Sequence, residues 1–263
     1  MHIESRSEMD IRMKITVITA VYNGEETISK TIESVLEQKV KPYEYLVIDG
    51  ASSDNTVALA ESYRTEFENA GVIYRIVSEK DQGIYDAFNK GVCLAEGEYI
   101  AFLNADDWYT PTALKTVQET YAKTPFDFAY GTIQYMGAKG SILRKKSRLD
   151  TFVSSRNWNH PSSFVKRELY LNYPFDLRFK AYADFDWFLK IRKMPIKIVI
   201  FPADEVIAHF QTGGASINAD FSKMLVRASE KAHAYRRNGY GRVYCFEAYG
   251  WEFVKYIFSL IYT

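Results

Sequence analysis

The run Asn104-Ala105-Asp106-Asp107 directly follows the apolar stretch Tyr99-Ile100-Ala101-Phe102-Leu103. Hard oxygen donors at the end of a buried strand suit Mg²⁺ or Mn²⁺ held against substrate phosphates. A divalent ion there neutralises a leaving diphosphate. The competing role is a cap for the helix that begins near Pro111, since Asn and Asp both cap well. Asp49, at a second strand end and followed by Gly50, accepts hydrogen bonds only when ionised, which suits the imide N–H of a uracil. A turn role competes at that position. From Asp81 to Gly91, Asp81, Gln82, Asp86 and Asn89 crowd the first turns of a helix. Backbone N–H groups at a helix start attract anions, but the two acids oppose a bare phosphate and suit sugar or ribose hydroxyls better.

Strand ends must present these residues. Ile15 to Val21 is short, β-branched and almost wholly apolar, as a strand covered on both faces reads. After Asn23-Gly24, Thr27 to Gln38 carries Ile28, Ile32, Val35 and Leu36 at helical spacing. The unit repeats: strand Tyr45 to Asp49 and helix Thr56 to Phe67, strand Tyr74 to Val77 and a helix through Leu94, then strand Tyr99 to Leu103. Such alternation predicts an α/β fold, an open, mainly parallel sheet with right-handed crossovers and helices on both faces. Ligands bind outside the carboxyl ends of such strands, so Asp49, Asp81 and Asp106 are expected around one crevice. From about Tyr130 to Arg148 the pattern turns strand-like and glycine-punctuated, as in a flap or acceptor-side hairpin. A helix over Asp184 to Lys193, a strand over Ile196 to Ile200, a basic helix over Phe221 to Arg237 and an aromatic tail complete the chain.

The chain has 263 residues, 47% hydrophobic and 25% charged, which excludes disorder and fibrous repeats. Lys plus Arg and Asp plus Glu number 33 each, so overall charge gives no support to nucleic-acid binding. Aromatic residues reach 16%, a surplus suited to carbohydrate, protein or membrane interfaces. Cys93 and Cys245 have no metal-type spacing and read as two buried thiols in a reducing cytosol. Residues 1–12 read as a disordered lead-in without the apolar core of a secretory signal, and no run reaches the roughly 18 apolar residues of a spanning helix. A cytoplasmic protein is expected.

Four blocks taken together resemble the family 2 inverting glycosyltransferases of GT-A fold. They are Thr19-Ala20-Val21-Tyr22-Asn23, Val47-Ile48-Asp49-Gly50-Ala51-Ser52-Ser53-Asp54, Asp81 through Gly91, and Phe102 through Asp107, in the family's order. The Gly-Ile-Tyr-Asp-Ala helix resembles the subgroup that builds bacterial surface polysaccharides such as colanic acid and O-antigen. The resemblance implies a GT-A domain over 13–216, with 217–263 as basic and aromatic C-terminal helices. It further implies that Ala20 and Tyr22 line the base and ribose pocket, that Asp49 reads the uracil, and that Asp106 is the metal-binding acid. Asn104 stands where that acidic motif often has its first Asp, and Asp107 completes the donor edge.

Ala183-Asp184-Phe185-Asp186 resembles the family's acidic pair ahead of the helix that supplies the base. Asp184 takes the base position, while Ala183 replaces the usual Glu. Asp186, two residues on, leaves Asp184's helical face; two acids stabilising a helix start is the structural alternative. His160-Pro161-Ser162-Ser163 resembles a segment near the acceptor, and His209 through Ser216, with Gly213 and Gly214, a loop closing over the donor. A solvated or core histidine is the alternative for each.

The implied reaction is inverting transfer of a hexose or N-acetylhexosamine from a UDP-sugar, with Mn²⁺ or Mg²⁺ as cofactor. Lys223, Arg227, Lys231, Arg236 and Arg237, ahead of the aromatic tail, suit an anionic membrane surface. On that reading the protein lies peripherally on the inner face of the cell membrane and a polyprenyl-diphosphate-linked glycan is the acceptor. A packed helix or a homo-oligomer interface is the other role for the tail. Two rival functions are a nucleotidyltransferase, opposed by the acidic Tyr22-Asn23-Gly24-Glu25-Glu26 turn where a basic phosphate loop is needed, and a non-catalytic nucleotide-sugar binding module, which has no need of Asp184.

Overall fold

The computed structural model describes residues 13–137, 140–212 and 220–262; the lead-in over 1–12 and the Gly213-Gly214 pair lie outside them. The first half runs β1 (Ile15–Val21), α1 (Ile28–Leu36), β2 (Glu44–Asp49), α2 (Thr56–Ser62), α3 (Arg64–Asn69), β3 (Ile73–Ser78), α4 (Ile84–Leu94), β4 (Tyr99–Phe102), β5 (Trp108–Tyr109) and α5 (Ala113–Lys123). There follow β6 (Phe128–Tyr130), β7 (Thr132–Gly137), β8 (Gly140–Lys145), β9 (Phe164–Lys166), α6 (Arg167–Asn172), α7 (Ala183–Ile191), β10 (Ile198–Ile200), β11 (Val206–Gln211), α8 (Phe221–Arg237) and α9 (Val243–Tyr262).

Alternation along β1 divides the interior into two cores. Ile15, Val17 and Val21 pack with α1 and α5, whereas Ile18 and Ala20 pack with α4 and α7. The main sheet has the order β10-β6-β9-β4-β1-β2-β3. Its β4-β1-β2-β3 half is parallel, as the repeated βα units predict. Three features depart from expectation. The three-residue β9 inserts antiparallel between β4 and β6, too short to show a period. The helix expected over Thr56 to Phe67 breaks at Tyr63 into α2 and α3. A second sheet, β5-β11-β7-β8, stands beside the first, and the hairpin expected from about Tyr130 is its β7–β8 edge.

The C-terminal helices correct two further expectations. Arg227 and Lys231 do not face a membrane: Arg227 meets the fully buried Glu252 at 3.0 Å and Lys231 meets Glu247 at 2.8 Å, both acids supplied by α9. Arg237 pairs with Asp176 at 2.7 Å. Among the described residues, only Lys223 and Arg236 of the five cations stay exposed without such a pair. Breaking a buried pair from one side costs about 3–5 kcal/mol, so α9 is part of the fold. Its outer face remains apolar, with Phe246, Phe253, Ile257 and Leu260 exposed beside Phe221 and Leu225 of α8. No helix among the described residues is long and apolar enough to cross a membrane. The expected burial of both thiols is also corrected, since Cys93 is exposed at the solvent face of α4 and Cys245 is half-buried.

Candidate active site

The carboxyl ends of β1, β2 and β3 are level, with Val21 opposite Asp49 and Asp49 opposite Ser78. β4 runs alongside with Phe102 opposite Ile18. Tyr22, the first residue past β1, is 66% exposed, an aromatic face offered at this edge. A Cβ on Gly50 would lie 2.8 Å from Asp81 Oδ2 and 3.4 Å from Tyr22 Cδ2, so glycine is what lets these side chains meet over the β2 end. Ala20 is placed differently from expectation: the strand's alternation turns it into the core, 6% exposed, rather than into a pocket.

Asp49 is buried, and its carboxylate accepts from Ser52 Oγ (2.5 Å), Ser52 N (3.0 Å) and Ser78 Oγ (2.6 Å). A carboxylate offers about four acceptor sites, which leaves one open. The β1–α1 and β2–α2 loops are laced together: Asn23 N donates to Ser52 Oγ, Ser53 N to Asn23 Oδ1, and Glu25 N to Asp54 Oδ2. Asn23 and Ala51 adopt positive φ of 50° and 63° to permit this lacing. The serines and this lacing had no signal in the sequence beyond their place in the quoted blocks.

Along α4 the expected donor residues divide. Asp81 Oδ1 accepts from Gly83 N at 2.8 Å and stays at the crevice. Asp86 instead accepts from Gln82 N at 3.0 Å and lies 3.5 Å from Lys90, which makes it a cap and a helix ion pair. Both ends of the Asn89 amide are taken by the Phe175 backbone, each at 2.9 Å, so Asn89 braces the loop after α6. One turn earlier on the same face, Tyr85 donates its hydroxyl to Asp184 Oδ1 at 2.9 Å. That residue was not singled out; its i,i+4 spacing to Asn89 is the signal that finds it.

At the end of β4, Asp106 is half-buried, and burial raises its carboxyl above the ordinary range. Asp107 turns inward, fully buried, and accepts from Gln211 N of β11 at 3.0 Å. Burial and the neighbouring Asp106 push Asp107 far up, so it ties β11 to this edge rather than meeting a donor. Asn104 donates weakly to Asp107 at 3.4 Å and also reaches a cavity of about 250 Å³. No cluster of three or more His, Cys, Asp or Glu able to hold a metal occurs among the described residues. Asp106 and Asn104 nevertheless fit Mg²⁺ or Mn²⁺, which use one or two protein oxygens and complete their shell with substrate phosphates and water.

The cavity that Asn104 lines also contains Asp184, His160 and Tyr85. Asp184 opens α7; its Oδ1 accepts from Tyr85 and from Phe185 N (2.8 Å), and its Oδ2 lies 3.5 Å from His160 Nδ1. His160 sits in a single 3₁₀ turn among Phe88, Phe102, Trp158 and Phe175. Burial lowers its pKa against the opposing pull of Asp184, which keeps the imidazole neutral at pH 7. Asp186 lies on the other side of α7, accepting from Asn238 Nδ2 at 2.8 Å near Arg237. His209 lies on β11, not on a closing loop, and stacks on Trp108 with centroids 5.1 Å apart. The structure therefore does not bring it to the Asp184 cavity.

A parallel-sheet edge that presents an exposed aromatic and acids, joined to a cavity holding a helix-borne carboxylate, is the layout of a GT-A glycosyltransferase. The chain belongs to Glycosyl transferase family 2, whose family model matches residues 16–192. It is similar to a PGL/p-HBAD biosynthesis glycosyltransferase of Mycobacterium tuberculosis, 27% identical over 80% of this chain and 83% of that protein. The putative teichuronic acid biosynthesis glycosyltransferase TuaG of Bacillus subtilis is 30% identical over 50% of this chain and 51% of its own. The crystal structure of S. aureus TarS 1-349 with UDP-GlcNAc superposes with a TM-score of 0.63 at 18% identity, over 93% of this chain and 73% of that one. The mannosyltransferase PcManGT from Pyrobaculum calidifontis, in complex with GDP-Man and Mn²⁺, gives 0.63 at 18% identity, over 96% and 75%. This protein is a glycosyltransferase.

Proposed function

We propose that the protein moves a hexose or N-acetylhexosamine from a UDP-sugar to a glycan hydroxyl, with inversion, during surface-polysaccharide synthesis. The observation that carries this reading is that Asn104, at the β4 end, and Asp184, at the start of α7, line the same cavity. Tyr22 stacks on the uracil, and the remaining acceptor site of Asp49 takes its imide N–H. Asp106 and Asn104 would hold the Mn²⁺ or Mg²⁺, which when bound stabilises the departing diphosphate. Asp184 Oδ2 takes the acceptor proton as the hydroxyl oxygen attacks the anomeric carbon. Tyr85 and the Phe185 N–H hold Oδ1, which fixes the carboxylate's orientation. A neutral His160 keeps an apolar wall beside Oδ2 without neutralising it. No covalent intermediate is required.

A panel of nucleotide sugars with Mn²⁺ or Mg²⁺, read as release of nucleoside diphosphate, tests this. Turnover of a UDP-sugar is expected. Binding of every donor without hydrolysis or transfer would leave a binding module, and release of inorganic diphosphate from a sugar phosphate and UTP would make it a nucleotidyltransferase. The apolar outer face of α9 is proposed to rest in the membrane interface. Flotation with anionic liposomes is expected to carry the protein, and Phe246→Ser with Phe253→Ser to release it; a wild-type protein that stays in the soluble fraction would end this proposal.

A further inference from the structure

Asp184 lies in the first turn of α7, and the chain that leads into that helix, residues 173–182, forms neither helix nor strand. Tyr182 is the N-cap of α7 and makes no side-chain cap hydrogen bond, unlike the Ser, Thr, Asp or Asn that usually hold this position. Asp184 itself accepts from Phe185 N at 2.8 Å, so the base serves the first turn in place of a cap. Where its carboxylate sits therefore depends on what holds the residues just ahead of it.

Two acids from the C-terminal helices hold those residues. Glu230 of α8, half-buried, accepts from the backbone N–H groups of Lys180 and Ala181 at 2.9 and 2.8 Å. Glu252 of α9, fully buried, accepts from the Tyr182 hydroxyl. Lys255 donates to the Tyr182 hydroxyl oxygen at 3.0 Å and to Glu252 Oε1 at 2.7 Å, while Arg227 Nε donates to Glu252 Oε2 at 3.0 Å. Burial pushes the Glu252 carboxyl up, but Lys255, Tyr182 and Arg227 outweigh it and hold the group below its ordinary range, as an ionised acceptor. The Tyr182 carbonyl in turn accepts from Asp186 N at 2.9 Å, which closes the first turn of α7 around Asp184. Lys180, Ala181 and Tyr182 line the Asp184 cavity, whereas Glu230 and Glu252 do not. Apolar contact already holds the body of α7, as where Phe185 meets Tyr235 of α8 with centroids 5.3 Å apart. Acidic acceptors at three successive residues add something that packing does not: a fixed backbone position immediately before the base.

Resting on the reading of Asp184 as the base, we propose that α8 and α9 clamp the entry to α7 and so set where that base stands, with Glu230 and Glu252 as positioning residues. Glu230 acts through the backbone of residues 180 and 181, and Glu252 through the Tyr182 hydroxyl. Both acids lie C-terminal to the stretch that the family model matches. Misplacing a reacting group by about 1 Å costs on the order of 10²-fold in rate, so a clamp of this kind bears on turnover without touching substrate.

The test compares Glu230→Ala, Glu230→Gln and Tyr182→Phe in the full-length protein. Tyr182→Phe removes one hydroxyl and leaves Glu252 with Arg227 and Lys255, so no buried charge loses its pair. Turnover is read as UDP released from a UDP-sugar, with water or an octyl glycoside as nucleophile, and is counted per UDP-binding site from calorimetric titration with Mn²⁺. Glu230→Ala and Tyr182→Phe are each expected to lower kcat per site by about 10–100-fold, with UDP affinity and donor KM unchanged. Glu230→Gln, whose amide oxygen still accepts a hydrogen bond, is expected to recover most of the loss. A merely structural role would lower the melting temperature and the number of binding sites and leave kcat per site as it was. Wild-type kcat per site in both Glu230→Ala and Tyr182→Phe therefore overturns the clamp. A fall in UDP affinity in step with kcat overturns it too, since the whole site would then have loosened. Glu230→Gln as slow as Glu230→Ala overturns the action of Glu230 through its hydrogen bonds. Failure of the underlying reading shows separately, as a wild-type protein that releases no UDP or an Asp184→Asn variant that turns over normally.

Discussion

Asp184→Asn is expected to retain UDP affinity and to lower transfer by about 10²–10⁴-fold, the usual worth of general-base assistance. The amide keeps the shape that Tyr85 and the Phe185 N–H recognise, so the start of α7 is preserved, but an amide oxygen cannot take the acceptor proton. Asp186→Asn is the internal control. Its carboxylate meets Asn238 and Arg237 away from the cavity, so the substitution should cost about 1–3 kcal/mol of stability while leaving turnover near that of the wild type. Steady-state kinetics and urea unfolding on both variants decide between base and brace. If Asp184→Asn turns over normally, or Asp186→Asn is the inactive one, the base has been assigned to the wrong acid.

Asp106→Ala should abolish Mn²⁺-dependent UDP binding, a larger loss than the about 10–100-fold typical for a residue that merely supports a metal ligand. Stability should behave in the opposite sense. Burial raises the folded-state pKa of Asp106 above its unfolded value, so ionising it opposes folding above the unfolded pKa, and that opposition fades as pH falls below it. Removing the carboxylate therefore leaves stability at neutral pH unchanged or slightly higher. Titration of UDP with and without Mn²⁺, paired with thermal unfolding, reads both effects. Unchanged UDP affinity in the variant would rule out the metal role. A variant that unfolds would instead mean that Asp106 serves the fold.

The two experiments rest on parts of the site whose legibility differs. Asp106 and Asp184 could be singled out because each stands at a boundary that short-range pattern reveals: the end of the apolar run Tyr99 to Leu103, and the start of the helix carrying Phe185, Phe188 and Leu189. Their neighbours could not be sorted in that way. Asp107 and Asp106 are adjacent and chemically identical, yet Asp106 is half-buried while Asp107 is consumed by Gln211, a partner 104 residues away. Asp86 and Asn89 share a helix with Tyr85, but Gln82 and Phe175 engage the first two, and only Tyr85 reaches Asp184.

The C-terminal region shows the same division. Lys223, Arg227, Lys231, Arg236 and Arg237 form a basic helix in sequence; whether they face water or acid depends on where α9 returns, and it brings Glu247 and Glu252 against two of them. Arg144, Lys146 and Arg148 likewise meet Phe152 and Trp251 around one cavity only because the β7–β8 hairpin and α9 come together there. By itself the sequence determined the parallel βα core, with Asp49 closing β2 and Asp106 just past β4, since strand and helix periods and turn residues act over a few positions. Tertiary structure decided which polar groups remain available for chemistry. A buried donor or acceptor must find a partner wherever the chain supplies one, and those partners lie on elements far apart in sequence.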